Sequence, residues 1–170
     1  MDPIFAWIEQ SALSDWIRGS DCICAFPAIV TLHNIGMAFL AGCGIAIDLR
    51  IIGFAPGIPL KPMARLLPLM WLAFAVNATT GVLLLIAYPT KALTNPVFYL
   101  KLGLVVIALW LVHRIGATVL RAPDAGHKAV ATRGRMLALA SLGAWMAVIT
   151  AGRLLAYTNR WEMLGIKGIH

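Results

Sequence analysis

Residues 22–47 read CICAFPAIVTLHNIGMAFLAGCGIAI and hold no Asp, Glu, Lys or Arg. A helix rises about 1.5 Å per residue, so roughly 20 apolar residues cross the hydrocarbon core of a bilayer. This stretch is long enough to do so, with Pro27 tolerable in its first turns and His33 deep in the span. Three further stretches have the same character: residues 66–88, holding Asn77, Thr79 and Thr80; residues 96–118, holding Lys101 and His113; and residues 136–157, holding Ser141, Thr150 and Arg153. The expected fold class is therefore all-α, an integral membrane four-helix bundle forming one transmembrane domain.

The totals agree. Of 170 residues, 61% are hydrophobic and 12% charged, with a mean hydropathy of +0.85. An average soluble domain carries about 25% charged residues. Half that share cannot cover a surface with polar groups, so the exterior must face lipid. The formal charge of +7 does not point to nucleic acid, because no basic patch is interleaved with the aromatics that stack on bases. The lipid bilayer is the partner this composition demands.

Residues 3–18 are expected to form an interfacial amphipathic helix ahead of the bundle. Asp2 suits its cap and Pro3 its first turn, and Ile4, Ile8, Ala12 and Trp16 recur at helical spacing. Asp2, Glu9 and Asp15 stand where a cleavable signal peptide has its positive region, so none is expected.

Basic residues set the orientation. The connections between spans one and two and between spans three and four carry Arg50, Lys61, Arg65, Arg121, Lys128, Arg133 and Arg135, against Arg18, Lys91, Arg160 and Lys167 on the other side. By the positive-inside rule those connections face the cytoplasm and both termini face outward. The stretch 122–134 reads as a basic, mobile cytoplasmic loop.

Ionisable groups inside a bilayer are costly and are functional candidates by default. Here they are His33, Lys101, His113 and Arg153. His33 has Ile29 and Val30 on one side and Gly36, Met37 and Gly44 beyond it, a face that glycines open to a neighbouring helix or a flat ring. One reading makes it an axial ligand of haem b, the metal here being haem iron. The other makes it a histidine hydrogen-bonded to Asn77 or Thr80. A second imidazole from His113 is poorly placed, about 17 residues deep against about 11 for His33, a mismatch of about 9 Å. Met146 lies nearer the right depth and is the candidate sixth ligand, although a lone Met is usually core filler. Lys101 and Arg153 lie near the outer helix ends and form a candidate cationic pocket for haem propionates, a quinone head or a lipid phosphate. Their alternative is snorkelling toward the headgroups. His127 and His170 are expected outside the membrane.

Other features read as packing. Cys22 and Cys24 are two apart, poorly placed on a helix for joint metal binding, and Cys43 is remote, so all three read as small apolar filler. Asn77-Ala78-Thr79-Thr80-Gly81 reads as helix–helix glue or as the lining of a ligand pocket. No carboxylate lies near mid-span and no broken helix marks a pathway, which argues against a transporter.

Several strings carry a family resemblance: Leu32-His33, Asp48-Leu49-Arg50-Ile51-Ile52-Gly53, Thr80-Gly81, and Asn95-Pro96-Val97-Phe98 followed by Lys101-Leu102. Over roughly residues 30–105 the chain resembles a domain-of-unknown-function family of small bacterial four-helix membrane proteins, loosely similar to the membrane domain of copper-resistance D proteins. The resemblance implies an inner-membrane location and a four-helix bundle, and no established activity. Asp48 and Arg50 match its motif, and a local ion pair at the cytoplasmic end of span one is expected of them.

Two functional expectations follow. The first is a b-type haem protein moving electrons between a quinone or partner membrane subunit and the outer face. The second is an accessory subunit of a larger membrane complex without catalytic activity of its own. Either is compatible with an oligomer.

Overall fold

The computed structural model describes residues 3–120 and 127–157; Arg121, Arg160, Lys167 and His170 lie outside these described residues. Among the described residues the protein is all-helical. Two short N-terminal helices, α1 (Pro3–Glu9) and α2 (Ala12–Gly19), precede the first long one, α3 (Phe26–Ile52). A single turn, α4 (Leu60–Met63), leads into α5 (Leu66–Ala87), and a second short helix, α6 (Pro89–Leu93), leads into α7 (Pro96–Ile115). A π-helical turn at Gly116–Leu120 ends α7, and α8 (His127–Tyr157) completes the chain. Among the described residues four helical segments are long and apolar enough to cross a membrane: Phe26–Ile52, Leu60–Ala87, Pro96–Leu120 and Thr132–Leu155.

The helix ends follow from local chemistry. Pro27 sits in the first turn of α3, where its missing N–H costs nothing. Gly53, at φ 118°, closes α3 in the left-handed conformation that only glycine adopts freely. Asn95 caps α7 by accepting from the Val97 N–H at 2.9 Å, with Pro96 in its first turn. The Asn-Pro pair is thus a helix-start signal.

Two sequence expectations change. The helix expected over residues 3–18 is two helices, because Ser11 caps a fresh start by accepting from Ser14 N–H at 3.3 Å. The break resets the helical phase: Ser14 and Ile17 are fully buried, while Trp16 is about half exposed. Ile17 packs with Ile29 and Ala87, and Ser14 Oγ donates to the Ala87 carbonyl at 3.4 Å. Arg18 ties the pair together through Glu9 (3.2 Å) and Asp15 (3.0 Å), and Thr90 Oγ1 donates to Glu9 at 3.0 Å. Second, the expected loop over residues 122–134 is helical from His127 onward, so α8 begins well before residue 136.

In the bundle α3 packs on α5 and α8, and α8 packs on α7. Between apolar helices in lipid, close van der Waals fit replaces the hydrophobic drive. Small residues supply it. A Cβ on Gly36 would meet the Ala73 carbonyl and Asn77 at 3.2 Å, and one on Gly44 would lie 2.3 Å from Trp145 Nε1. Trp145 is fully buried, as are Leu40, Ile47, Ile115 and Val148 in the same cluster.

Candidate functional site

His33 is fixed by α5. Its Nδ1 lies 3.1 Å from the Asn77 carbonyl oxygen and 3.1 Å from Thr80 Oγ1. A carbonyl only accepts, so Nδ1 carries the proton and Nε2 is left with its lone pair. Thr80 Oγ1 donates its own proton to the Val76 carbonyl at 2.7 Å, which leaves it free to accept from His33. Asn77 Nδ2 donates to the His33 backbone carbonyl at 2.7 Å. The next residue after Thr80 makes room for the ring: a Cβ on Gly81 would lie 3.3 Å from His33 Cε1. The Asn77–Gly81 string therefore packs the helices and orients the imidazole at once.

His33 lines a cavity of about 470 Å³ at the end of the bundle where α3 and α7 begin and α5 and α8 end. Binding sites for small molecules span about 300–1,000 Å³. Apart from the imidazole, the lining is apolar and aromatic, from Phe26, Tyr88 and Phe98, with two cations, Lys101 and Lys91. Lys101 reaches the cavity because α8 carries a glycine there: a Cβ on Gly152 would lie 3.8 Å from Lys101 Cε and 4.0 Å from its Nζ. Among the described residues both ion pairs belong to Arg18, so no carboxylate neutralises Lys101. Lys91 lies over the Tyr88 ring, 5.6 Å from its centroid, and Tyr88 meets Phe26 edge-on at 5.8 Å.

Of the sequence candidates, the structure brings together His33 and Lys101. Arg153 is exposed on α8 and does not line the cavity beside its neighbour Gly152. Met146 is 54% exposed on the outer side of α8. His113 lies at the opposite end and lines a second cavity of about 320 Å³ with Leu67, Trp71 and Gly116. Gly36 and Gly44, read as space for a ring, are filled by α5 and by the Trp145 indole.

Lys91 and the three aromatics escaped the sequence reading, because α6 folds the short connection after α5 back over the cavity. Their signal was the spacing of Tyr88 and Lys91, which share one helical face only once α6 is known. Cys22 and Cys24 are not filler but are bonded to each other, just ahead of Phe26. Asp48 makes no ion pair with Arg50. The Arg50 guanidinium instead donates to the carbonyls of Ile58 and Pro56 (3.0 Å for the latter), and Asp48 is fully buried.

No protein-family model matches the chain, and neither the curated proteins nor the solved structures yield a match.

Proposed function

We propose that the protein is a b-type haem-binding protein of the bacterial inner membrane that serves electron transfer, with His33, through Nε2, as the residue of this chain that would hold the haem iron. One observation carries the reading: an imidazole whose Nδ1–H is held by a backbone carbonyl, with Nε2 left unpartnered among the described residues, beside an apolar cavity. Metal-ligating histidines are oriented in this way, the hydrogen bond at one nitrogen fixing the tautomer and raising the basicity of the other. Two lysines in an otherwise apolar lining suit an apolar plate bearing two carboxylates, and in this reading Lys101 and Lys91 would pair with its propionates. When bound, the haem supplies a one-electron couple; the residues of this chain bind it, orient it and keep water from its faces.

Met146 and His113 lie away from the cavity, so any second protein group that would hold the haem would have to come from outside this bundle. A partner membrane subunit or a second copy is therefore part of the proposal, with a quinone as the electron donor class. Both termini face outward in this reading, which the basic connections support. The bonded Cys22–Cys24 pair lies at the same end as the cavity and suits the oxidising side of the membrane. A reduced-minus-oxidised visible spectrum of wild type and His33→Ala tests the proposal.

A further inference from the structure

At the end of α3 away from His33, four polar side-chain atoms are buried without a hydrogen-bond partner among the described residues: both carboxylate oxygens of Asp48, Ser141 Oγ and Trp145 Nε1. All three residues are fully buried. They are neighbours in two adjoining layers. Gly44 and Asp48 lie one turn apart on α3, and Ser141 and Trp145 lie one turn apart on α8. The Trp145 indole nitrogen sits over Gly44, and the Ser141 hydroxyl faces the Asp48 carboxyl without closing a hydrogen bond.

Among the described residues no ion pair balances this carboxyl. Arg50, on the same helix, is turned to the loop carbonyls of Pro56 and Ile58. Arg135, from α8, lies beyond the end of α3, with a guanidinium nitrogen 3.5 Å from where a Gly53 Cβ would stand. Lys61 and Arg65, on the approach to α5, form no ion pair among the described residues, where both pairs belong to Arg18. An ionised carboxylate left unpaired in such surroundings costs far more than a neutral acid does. A carboxylic acid, by contrast, matches its neighbours. Its O–H has the Ser141 oxygen to donate to.

We propose that Asp48 and Ser141, packed beside Trp145, form a proton-binding site in which Asp48 is held as a neutral carboxylic acid that donates to Ser141. The bound species is a proton. This site is separate from the His33 cavity and stands whether or not haem binds there.

Infrared difference spectroscopy of the full chain in lipid at neutral pH, wild type against Asp48→Asn, tests it. The expected result is a carbonyl stretch of a protonated carboxylic acid that shifts in heavy water and is missing from Asp48→Asn. Asn is close in shape to a neutral acid, so this variant is expected to keep the wild-type thermal midpoint. Ser141→Ala provides the second arm, and should move the band without removing it. A difference spectrum showing only ionised-carboxylate bands would overturn the proposal. So would a band insensitive to heavy water, or one unmoved by Ser141→Ala. A large loss of stability in Asp48→Asn would also count against it, since that marks a carboxylate whose charge is needed.

Discussion

His33 and Asn77, 44 residues apart in the chain, hold each other twice: the His33 ring N–H donates to the Asn77 carbonyl, and the Asn77 amide donates to the His33 carbonyl at 2.7 Å. This reciprocal pair joins α3 to α5 and leaves the far nitrogen of the imidazole unpartnered among the described residues, beside the cavity.

The first expectation concerns the hydroxyl that shares His33 Nδ1. Thr80→Val keeps the shape of the side chain and removes its acceptor. Outer-shell partners of metal-binding histidines are worth about 10–100-fold in affinity. Haem titration of the purified variant should show weakening in that range, while circular dichroism shows the wild-type helix content.

The second expectation separates the two cations assigned to one pocket from sequence. Lys101 lines the cavity and Arg153 does not. Lys101→Met should therefore lower haem retention on size-exclusion chromatography severalfold, and Arg153→Met should leave it unchanged. Equal losses in both would contradict the arrangement.

Glycines give the third. A Cβ at Gly44 would lie 2.3 Å from the fully buried Trp145 indole, whereas at Gly42 it would meet nothing within 4 Å. Gly44→Ala should destabilise the bundle by about 1–3 kcal/mol, the usual cost of overpacking. Gly42→Ala should be neutral or slightly stabilising. Thermal melts in detergent read both.

A fourth follows from ligand placement. Met146→Leu and His113→Ala should leave the haem bands of the protein in place, because one residue faces outward and the other lines a cavity at the opposite end. Loss of the bands in either variant would mean that the ligand set has been misassigned.

The spans were legible because apolar runs of membrane length with few or no charges admit no other fold, and Asn95-Pro96 marked a helix start by its chemistry. His33 stood out for the same reason, as a costly group in an apolar run. Its contact with Asn77 and Thr80 was within reach, since few polar groups share its depth. What the sequence hid was rotation. Helical spacing does not say which face of α8 turns inward, so Met146 and Arg153 looked as well placed as Gly152. Nor did it show that Gly36 and Gly44 are occupied by neighbouring helices. Asp48 was concealed by proximity: two residues from Arg50, it reads as half of an ion pair, yet residues two apart on a helix face different ways. Lys91 depended on a turn of helix, α6, in a connection too short to announce itself.

The central claim is that His33 Nε2 binds haem iron. The measurement that tests it most directly is the dithionite-reduced minus oxidised visible spectrum of protein purified from haem-replete cells, for wild type and His33→Ala. Sharp b-type bands in wild type, absent from a His33→Ala protein that keeps its helix content, are the expected result. A colourless wild type carrying stoichiometric lipid or a partner chain would contradict it and favour an accessory subunit; bands that persist in His33→Ala would contradict the assignment of the ligand.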